Sequence, residues 1–87
     1  MKVPAEKKLR IKILDLIEHN WPTHIKEIVN NLGYEINNLN IKKVAYHVKR
    51  LEKEEKVRAK RIGQALVVWP YDMEKLRIVY ELLKEGA

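Results

Sequence analysis

Residues 41–62 read IKKVAYHVKRLEKEEKVRAKRI, and the spacing of the apolar residues changes within this stretch. The first part has apolar residues at helical spacing, which predicts a helix over about 39–54 with one buried stripe. The stripe consists of Ile41, Val44, Val48 and Leu51. From Val57 onward apolar and basic residues alternate, which is typical of a strand with one buried face.

The side of this third helix that lies opposite the stripe is basic. At 100° per residue, five bases and one tyrosine lie on it: Lys42, Lys43, Tyr46, Lys49, Arg50 and Lys53. An α-helix is about 10–12 Å across, which matches the major groove of B-DNA. We therefore take these six residues, together with Asn40 before them and His47 at their edge, as candidate DNA contacts.

A β-hairpin is predicted after the third helix. Two β-prone runs, 57–62 and 65–69, flank Gly63-Gln64, which is the pattern of a type II′ turn. In this register Ile62 faces Ala65, and Arg58 faces Trp69. The candidate contacts to DNA phosphates or to the minor groove are Arg58, Lys60, Arg61 and Gln64.

Three further helices are predicted from apolar spacing, over 5–20, 24–31 and 71–84. Pro22 ends the first of them near Asn20, and Trp21 is expected to anchor in the core. The resulting class is mainly α with a small β-hairpin, in the order α-α-α-β-β-α. The capping residues stay open: Thr23 or His24 for the second helix, and Asn37, Asn38 or Asn40 for the third.

The excess positive charge lies in one segment of the chain. Net charge is +6, from 18 Lys and Arg against 12 Asp and Glu. Residues 40–63 hold nine bases and three acids, and the rest of the chain holds nine of each. Such a basic block is the electrostatic footprint of nucleic-acid binding. The alternative is a solvated, lysine-rich face.

The composition gives no sign of an enzyme or of a cofactor. The chain has no Ser, no Cys, two Asp and three Gly, so the usual nucleophiles and phosphate-binding glycine motifs are missing. Its histidines, His19, His24 and His47, show no i, i+4 pair, and we expect no metal site. No apolar run approaches the roughly 18 residues of a membrane span, and residues 1–6 have no apolar signal region, so a cytoplasmic location is expected.

Three stretches resemble a known family. Residues 44–57, VAYHVKRLEKEEKV, resemble the recognition helix of winged-helix transcription regulators, most closely the ArsR-like group and next the MarR-like proteins. PTHIKEI at 22–28 resembles the family's second helix, and VRAKRIGQALVV at 57–68 resembles its wing. The resemblance covers about 9–69. It implies one winged helix-turn-helix domain over 1–87, with a core at 5–70 and a C-terminal dimerisation helix at 71–85.

The chain departs from the family pattern at three points, the first being that the connection over 34–40 is longer than usual. Glu55 stands where these proteins usually have Gly before the wing, and a left-handed backbone at a non-glycine residue costs about 1 kcal/mol. We therefore expect this helix to end in a different arrangement. The cysteine ligands of metal-sensing ArsR-like proteins are absent, so the resemblance is to a regulator without that sensor.

Apolar residues on a second face of the first and last helices predict a homodimer. A monomer needs one apolar stripe per helix, and an additional exposed stripe usually marks an interface. The candidate interface residues are Ile11, Leu14, Tyr71, Ile78 and Leu82.

The expected function is sequence-specific binding of double-stranded DNA by a homodimeric transcriptional regulator. The recognition helix, about 39–54, would lie in the major groove, and the wing, 57–69, on the backbone or in the minor groove. One alternative is a winged-helix protein–protein interaction module in a transcription or replication assembly. RNA is a weaker alternative, because the narrow major groove of A-form RNA excludes a helix. The sequence identifies no small-molecule effector, and any ligand is expected at the dimer interface.

Overall fold

A computed structural model of the protein describes residues 5–73. Its elements are α1 (Ala5–Asn20), β1 (Thr23–His24), α2 (Ile25–Asn31), α3 (Asn38–Lys53), β2 (Val57–Ile62) and β3 (Ala65–Pro70). Residues 71–73 are helical. The remainder of the predicted C-terminal helix, with Ile78 and Leu82, lies outside the described residues. The described chain is mainly helical with a small antiparallel sheet, an architecture compatible with a winged-helix-like fold.

The core lies where the apolar stripes of the three helices meet one face of the hairpin. Helix α1 contributes three buried residues spaced four apart, and α3 contributes the stripe predicted from its spacing, of which Ile41 is only partly buried. The buried apolar residues are Leu9, Ile13, Ile17, Ile25, Ile28, Val29, Leu32, Val44, Val48, Leu51, Val57 and Val68. None of the described helices has the length and apolar composition needed to cross a bilayer.

The hairpin has the predicted register. Ile62 pairs with Ala65 and Arg58 with Trp69, with β2 and β3 antiparallel. Gly63 has φ +62°, as the first central residue of a type II′ turn requires. The hairpin's inner face, which includes Ala59 and Leu66, packs against the core.

A third strand, which the sequence did not predict, completes the sheet in the order β1-β3-β2. Thr23 pairs with Val68 and His24 with Val67. The expectation that Trp21 anchors in the core is wrong, since 48% of its surface is exposed. The chain turns into the core only at Thr23, which is buried. Helix α1 ends at Asn20 as predicted, and the Trp21–Pro22 peptide bond is cis.

One residue caps the start of each of the two later helices. The His24 Nδ1 atom accepts a hydrogen bond from the Glu27 backbone N–H at 3.3 Å and caps α2. The Asn37 Oδ1 atom accepts one from the Asn40 backbone N–H at 2.9 Å and caps α3. These bonds decide between the capping residues that the sequence left open.

Helices α2 and α3 end in the same way. After α2, the Gly33 N–H donates to the Asn30 carbonyl and the Tyr34 N–H to the Val29 carbonyl. After α3, the N–H groups of residues 55 and 56 donate to the carbonyls of residues 52 and 51 in the same pattern. Both ends are therefore Schellman motifs, with φ +80° at Gly33 and +59° at Glu55. The expectation that Glu55 changes the helix end is wrong.

Candidate nucleic-acid interface

The outward face of α3 is basic and exposed along its whole length. Its exposed residues are Lys42, Lys43, Tyr46, Lys49, Arg50 and Lys53. The opposite face is anchored, because Val44 and Val48 are fully buried and Leu51 nearly so. The core therefore fixes the backbone of α3 through its apolar face, and the charged side chains project from the opposite face. We call these six residues the α3 face.

Two residues near the centre of the α3 face are linked. The Arg50 Nη1 atom donates to the Tyr46 Oη atom at 3.3 Å, one helical turn apart. The Tyr46 ring also meets the His47 ring edge-on, with centroids 5.4 Å apart. Tyr46 therefore connects the exposed guanidinium of Arg50 to a buried ring.

The structure corrects the placement of two predicted contact residues. The side chain of His47 is 1% exposed, and its Nδ1 atom accepts a hydrogen bond from Arg10 Nε at 3.2 Å. Burial, followed by the positive charge of Arg10, lowers the pKa of His47 and favours its neutral ring. Asn40 is half-buried, and its Nδ2 atom donates to the Glu35 carbonyl at 2.8 Å, which ties it to the α2–α3 connection. His47 is therefore turned toward α1, and Asn40 toward the α2–α3 connection.

The hairpin carries a second group of exposed polar residues beside α3. Arg58 and Lys60 project from β2, and Arg61 and Gln64 lie at the turn. The Arg61 Nη1 atom donates to the Gln64 carbonyl at 3.3 Å, which braces the turn. These four residues are exposed, as the predicted contact role requires.

A cation from α2 joins this region, although the sequence analysis did not select it. Lys26 is exposed and lines a cavity of about 280 Å³ together with Ile41 and Ala45 of α3 and Arg61 and Gln64 of the hairpin. The charge count missed Lys26 because it considered only the block at 40–63. No local sequence pattern signals that Lys26 lies beside the hairpin.

Besides Tyr46 on the α3 face, Trp21, and Ile62 at the hairpin tip, exposed apolar residues lie around the α2–α3 connection and on α1. In and after the α2–α3 connection, Tyr34, Ile36 and Leu39 are 39%, 50% and 76% exposed. On α1, Ile11 is 57% exposed, and it lines a groove with the half-buried Leu14. Of the other predicted dimer residues, Tyr71 is half-buried.

Over residues 5–73, no cluster of three or more His, Asp or Glu side chains that could hold a metal ion is present. A comparison with models of known protein families finds no match for the chain, and a comparison with curated proteins finds none either. The function is therefore inferred from the charge and geometry of α3 and the hairpin.

Proposed function

We propose that this chain is a winged helix-turn-helix protein that binds double-stranded DNA sequence-specifically and regulates transcription as a homodimer. The α3 face enters the major groove, and the β2–β3 hairpin contacts the backbone or the minor groove. The observation that carries the proposal is the α3 face itself, which is exposed and basic on a helix whose opposite side is buried. A solvated lysine face would not need the second basic element beside it.

The side chains of the α3 face contribute to DNA binding in different ways, according to their chemistry. Lysines are point charges, so Lys42, Lys49 and Lys53 contact phosphates and contribute affinity without reading sequence. Arg50 has a planar fork of donors that fits the O6 and N7 atoms of guanine. Its bond to Tyr46 limits the directions in which that fork can point. Specificity therefore comes from the centre of the α3 face.

The test is fluorescence anisotropy of a labelled mixed-sequence duplex over a series of salt concentrations. We expect log K to fall linearly with log[salt] with a slope of about −4 to −8, as phosphate contacts release counterions. The double variant Lys43→Glu/Arg50→Glu should lose this binding. Its matched control is Lys8→Glu/Lys12→Glu, which changes net charge equally at exposed sites of α1. Both control lysines lie about 160° around α1 from Arg10, which donates a hydrogen bond to His47 of α3.

Equal losses in the two double variants would mean that net charge alone drives binding, and the assignment to the α3 face would be wrong. Absence of binding by the wild-type protein at low salt would favour the second candidate function, a protein–protein interaction module. The specific observation for that candidate is the exposed apolar group Tyr34, Ile36 and Leu39. Affinity capture with the Leu39→Asp variant as a control would then replace the DNA experiment.

A further inference from the structure

The first turn of α3 carries a leucine that the core does not use. Leu39 is 76% exposed, the largest exposed fraction among the large apolar residues of the described chain. Helix α3 is held to the core by Val44, Val48 and Leu51, which lie on its other side. Single exposed apolar residues are common on protein surfaces, so the position of Leu39 on the helix decides whether its exposure is informative.

That position is in line with the basic residues of α3. At 100° per residue, Leu39 lies within about 20° of Tyr46 and of Arg50 around the helix axis. It stands one turn before Lys42 and Lys43 and continues the α3 face toward the helix N-terminus. The first turn of α3 holds no acidic residue that would repel a phosphate. Recognition helices contact base edges with their N-terminal residues, so Leu39 stands where sequence is read.

Hydrogen bonds hold the backbone on both sides of Leu39. The Asn37 Oδ1 atom accepts one from the Asn40 N–H, and the Asn37 carbonyl accepts one from the Ile41 N–H, both at 2.9 Å. The Asn40 Nδ2 atom donates to the Glu35 carbonyl at 2.8 Å, and Ile41 packs against the core. The direction in which Leu39 projects is therefore set before a ligand binds. A leucine also loses less side-chain entropy on burial than a lysine or an arginine.

The major groove of B-DNA offers such a side chain one specific partner. Of the four bases, only thymine presents a methyl group there, on its C5 atom. We infer that Leu39 is a specificity-determining residue, which contacts the C5-methyl group of a thymine when α3 lies in the major groove. The contact removes two apolar surfaces from water and so favours thymine at that position. It depends on the proposed DNA binding, and it adds a second source of specificity to the one expected from Arg50.

The other exposed apolar residues of this region do not share the position of Leu39. Tyr34 and Ile36 precede Asn37, the N-cap of α3, and so lie outside the helix. A thymine contact by Leu39 therefore needs neither of them, whereas a protein partner of the apolar group would use all three. Ile36 thus offers a matched control, being an aliphatic residue that is 50% exposed close to Leu39 in sequence.

The experiment uses the full chain and a duplex enriched from random sequence by binding to it. Each thymine of the duplex is replaced in turn by deoxyuridine, which removes the C5-methyl group and keeps every hydrogen-bond donor and acceptor of the base. The Kd is measured by fluorescence anisotropy at one fixed salt concentration. We expect one thymine in each half-site whose replacement weakens wild-type binding about fourfold, the effect of burying one methyl-sized group.

Three variants assign this preference to one side chain. Leu39→Ala should bind the thymine and deoxyuridine duplexes equally, because the methyl group then lacks its apolar partner. Leu39→Met keeps an apolar side chain of similar volume and should retain most of the preference. Ile36→Ala should keep the preference in full. Leu39→Ala is expected to fold like the wild type, since the side chain is exposed and alanine favours a helix, and circular dichroism checks this.

The outcomes separate a failure of this contact from a failure of the proposed function. If the wild-type chain binds no duplex at low salt, the proposed DNA binding and the thymine contact are both wrong. If it binds DNA but no deoxyuridine replacement weakens binding, or if Leu39→Ala keeps the preference, only the thymine contact is wrong. If Leu39→Ala and Ile36→Ala lose the preference equally, the assignment to Leu39 is wrong.

Discussion

At the scale of single residues, Glu55 holds a backbone conformation that its side chain disfavours. Its φ of +59° is in the left-handed region, which costs a non-glycine residue about 1–2 kcal/mol. Two Schellman hydrogen bonds and the buried start of β2 at Val57 hold it there. Replacing Glu55 by Gly removes this strain. The greater backbone entropy of Gly in the unfolded chain offsets about 0.5–1 kcal/mol of that gain. We expect Glu55→Gly to raise the free energy of unfolding by about 0.5–1 kcal/mol in urea denaturation.

Two controls separate backbone strain from charge. Glu55→Gln removes the negative charge near the α3 C-terminus and keeps the side chain, so it should gain much less than Gly. Gly33→Ala should have the opposite sign and cost about 1 kcal/mol, because Gly33 occupies the equivalent position with φ +80°. A Cβ atom at Gly33 would meet nothing within 4 Å, so the cost is one of backbone alone. A destabilised Glu55→Gly protein would contradict this account.

The buried ring of His47 predicts a pH dependence of stability. Burial and the charge of Arg10 lower its pKa in the folded protein, so the unfolded chain binds this proton more readily. The contribution of the neutral His47 ring to the free energy of unfolding is therefore present above about pH 6.5. It is lost as pH falls through the lowered pKa. Protonation of Nδ1 would also end the bond that Arg10 donates to it. We expect the free energy of unfolding to fall as pH drops below about 6.5, and less steeply in His47→Gln.

His19 provides the control for this pH dependence. It is exposed on α1, and its hydrogen bond to the Asp15 carbonyl, followed by the charge of Asp15, raises its pKa. Its contribution has the opposite sign, being present at low pH and lost as pH rises through the raised pKa. His19→Gln should leave the fall toward acid pH intact or make it steeper. A pH profile that is the same in wild type and His47→Gln would contradict the assignment to His47.

At the scale of elements, the sequence predicted what depends on local pattern and missed what depends on distant contacts. The hairpin register follows from Gly63-Gln64 and from alternation along two adjacent strands, and the helix boundaries follow from apolar spacing and Pro22. Strand β1 has only two residues, and its pairing with Val67 and Val68 is more than forty residues away in sequence. No local pattern signals such a pairing.

The same limit explains the errors within the candidate site. Helical spacing placed His47 at the edge of the basic face, but whether an edge residue is buried depends on the neighbouring helix. Here α1 supplies Arg10, which covers the His47 ring, and the ring becomes part of the core. Lys26 was missed for the converse reason, because only the folded chain brings α2 next to the hairpin tip.

The hairpin and α3 are expected to contribute differently to DNA binding. Arg58 and Lys60 project from an exposed strand as backbone contacts, so Arg58→Gln/Lys60→Gln should reduce the salt slope by about 2 and weaken all sequences alike. Arg50→Gln should instead reduce discrimination between a selected site and its guanine variants, by about 1–3 kcal/mol. Anisotropy with a duplex enriched from random sequence, and with its single-base variants, measures both. A hairpin variant that changes base preference would contradict this division.

At the scale of the whole molecule, the last prediction concerns assembly, and it rests on an isoleucine of α1 that is exposed to solvent in the described fold. Ile11 is 57% exposed on α1 beside the half-buried Leu14, and the sequence predicts further apolar residues for the same interface at Ile78 and Leu82. We expect a dimer in sedimentation velocity at tens of micromolar and a monomer for Ile11→Lys, because a charge would be buried without a partner. Ile36→Lys is the matched control, since Ile36 is 50% exposed in the α2–α3 connection, and it should stay dimeric. A monomeric wild type, or dissociation by both variants, would contradict an interface at α1.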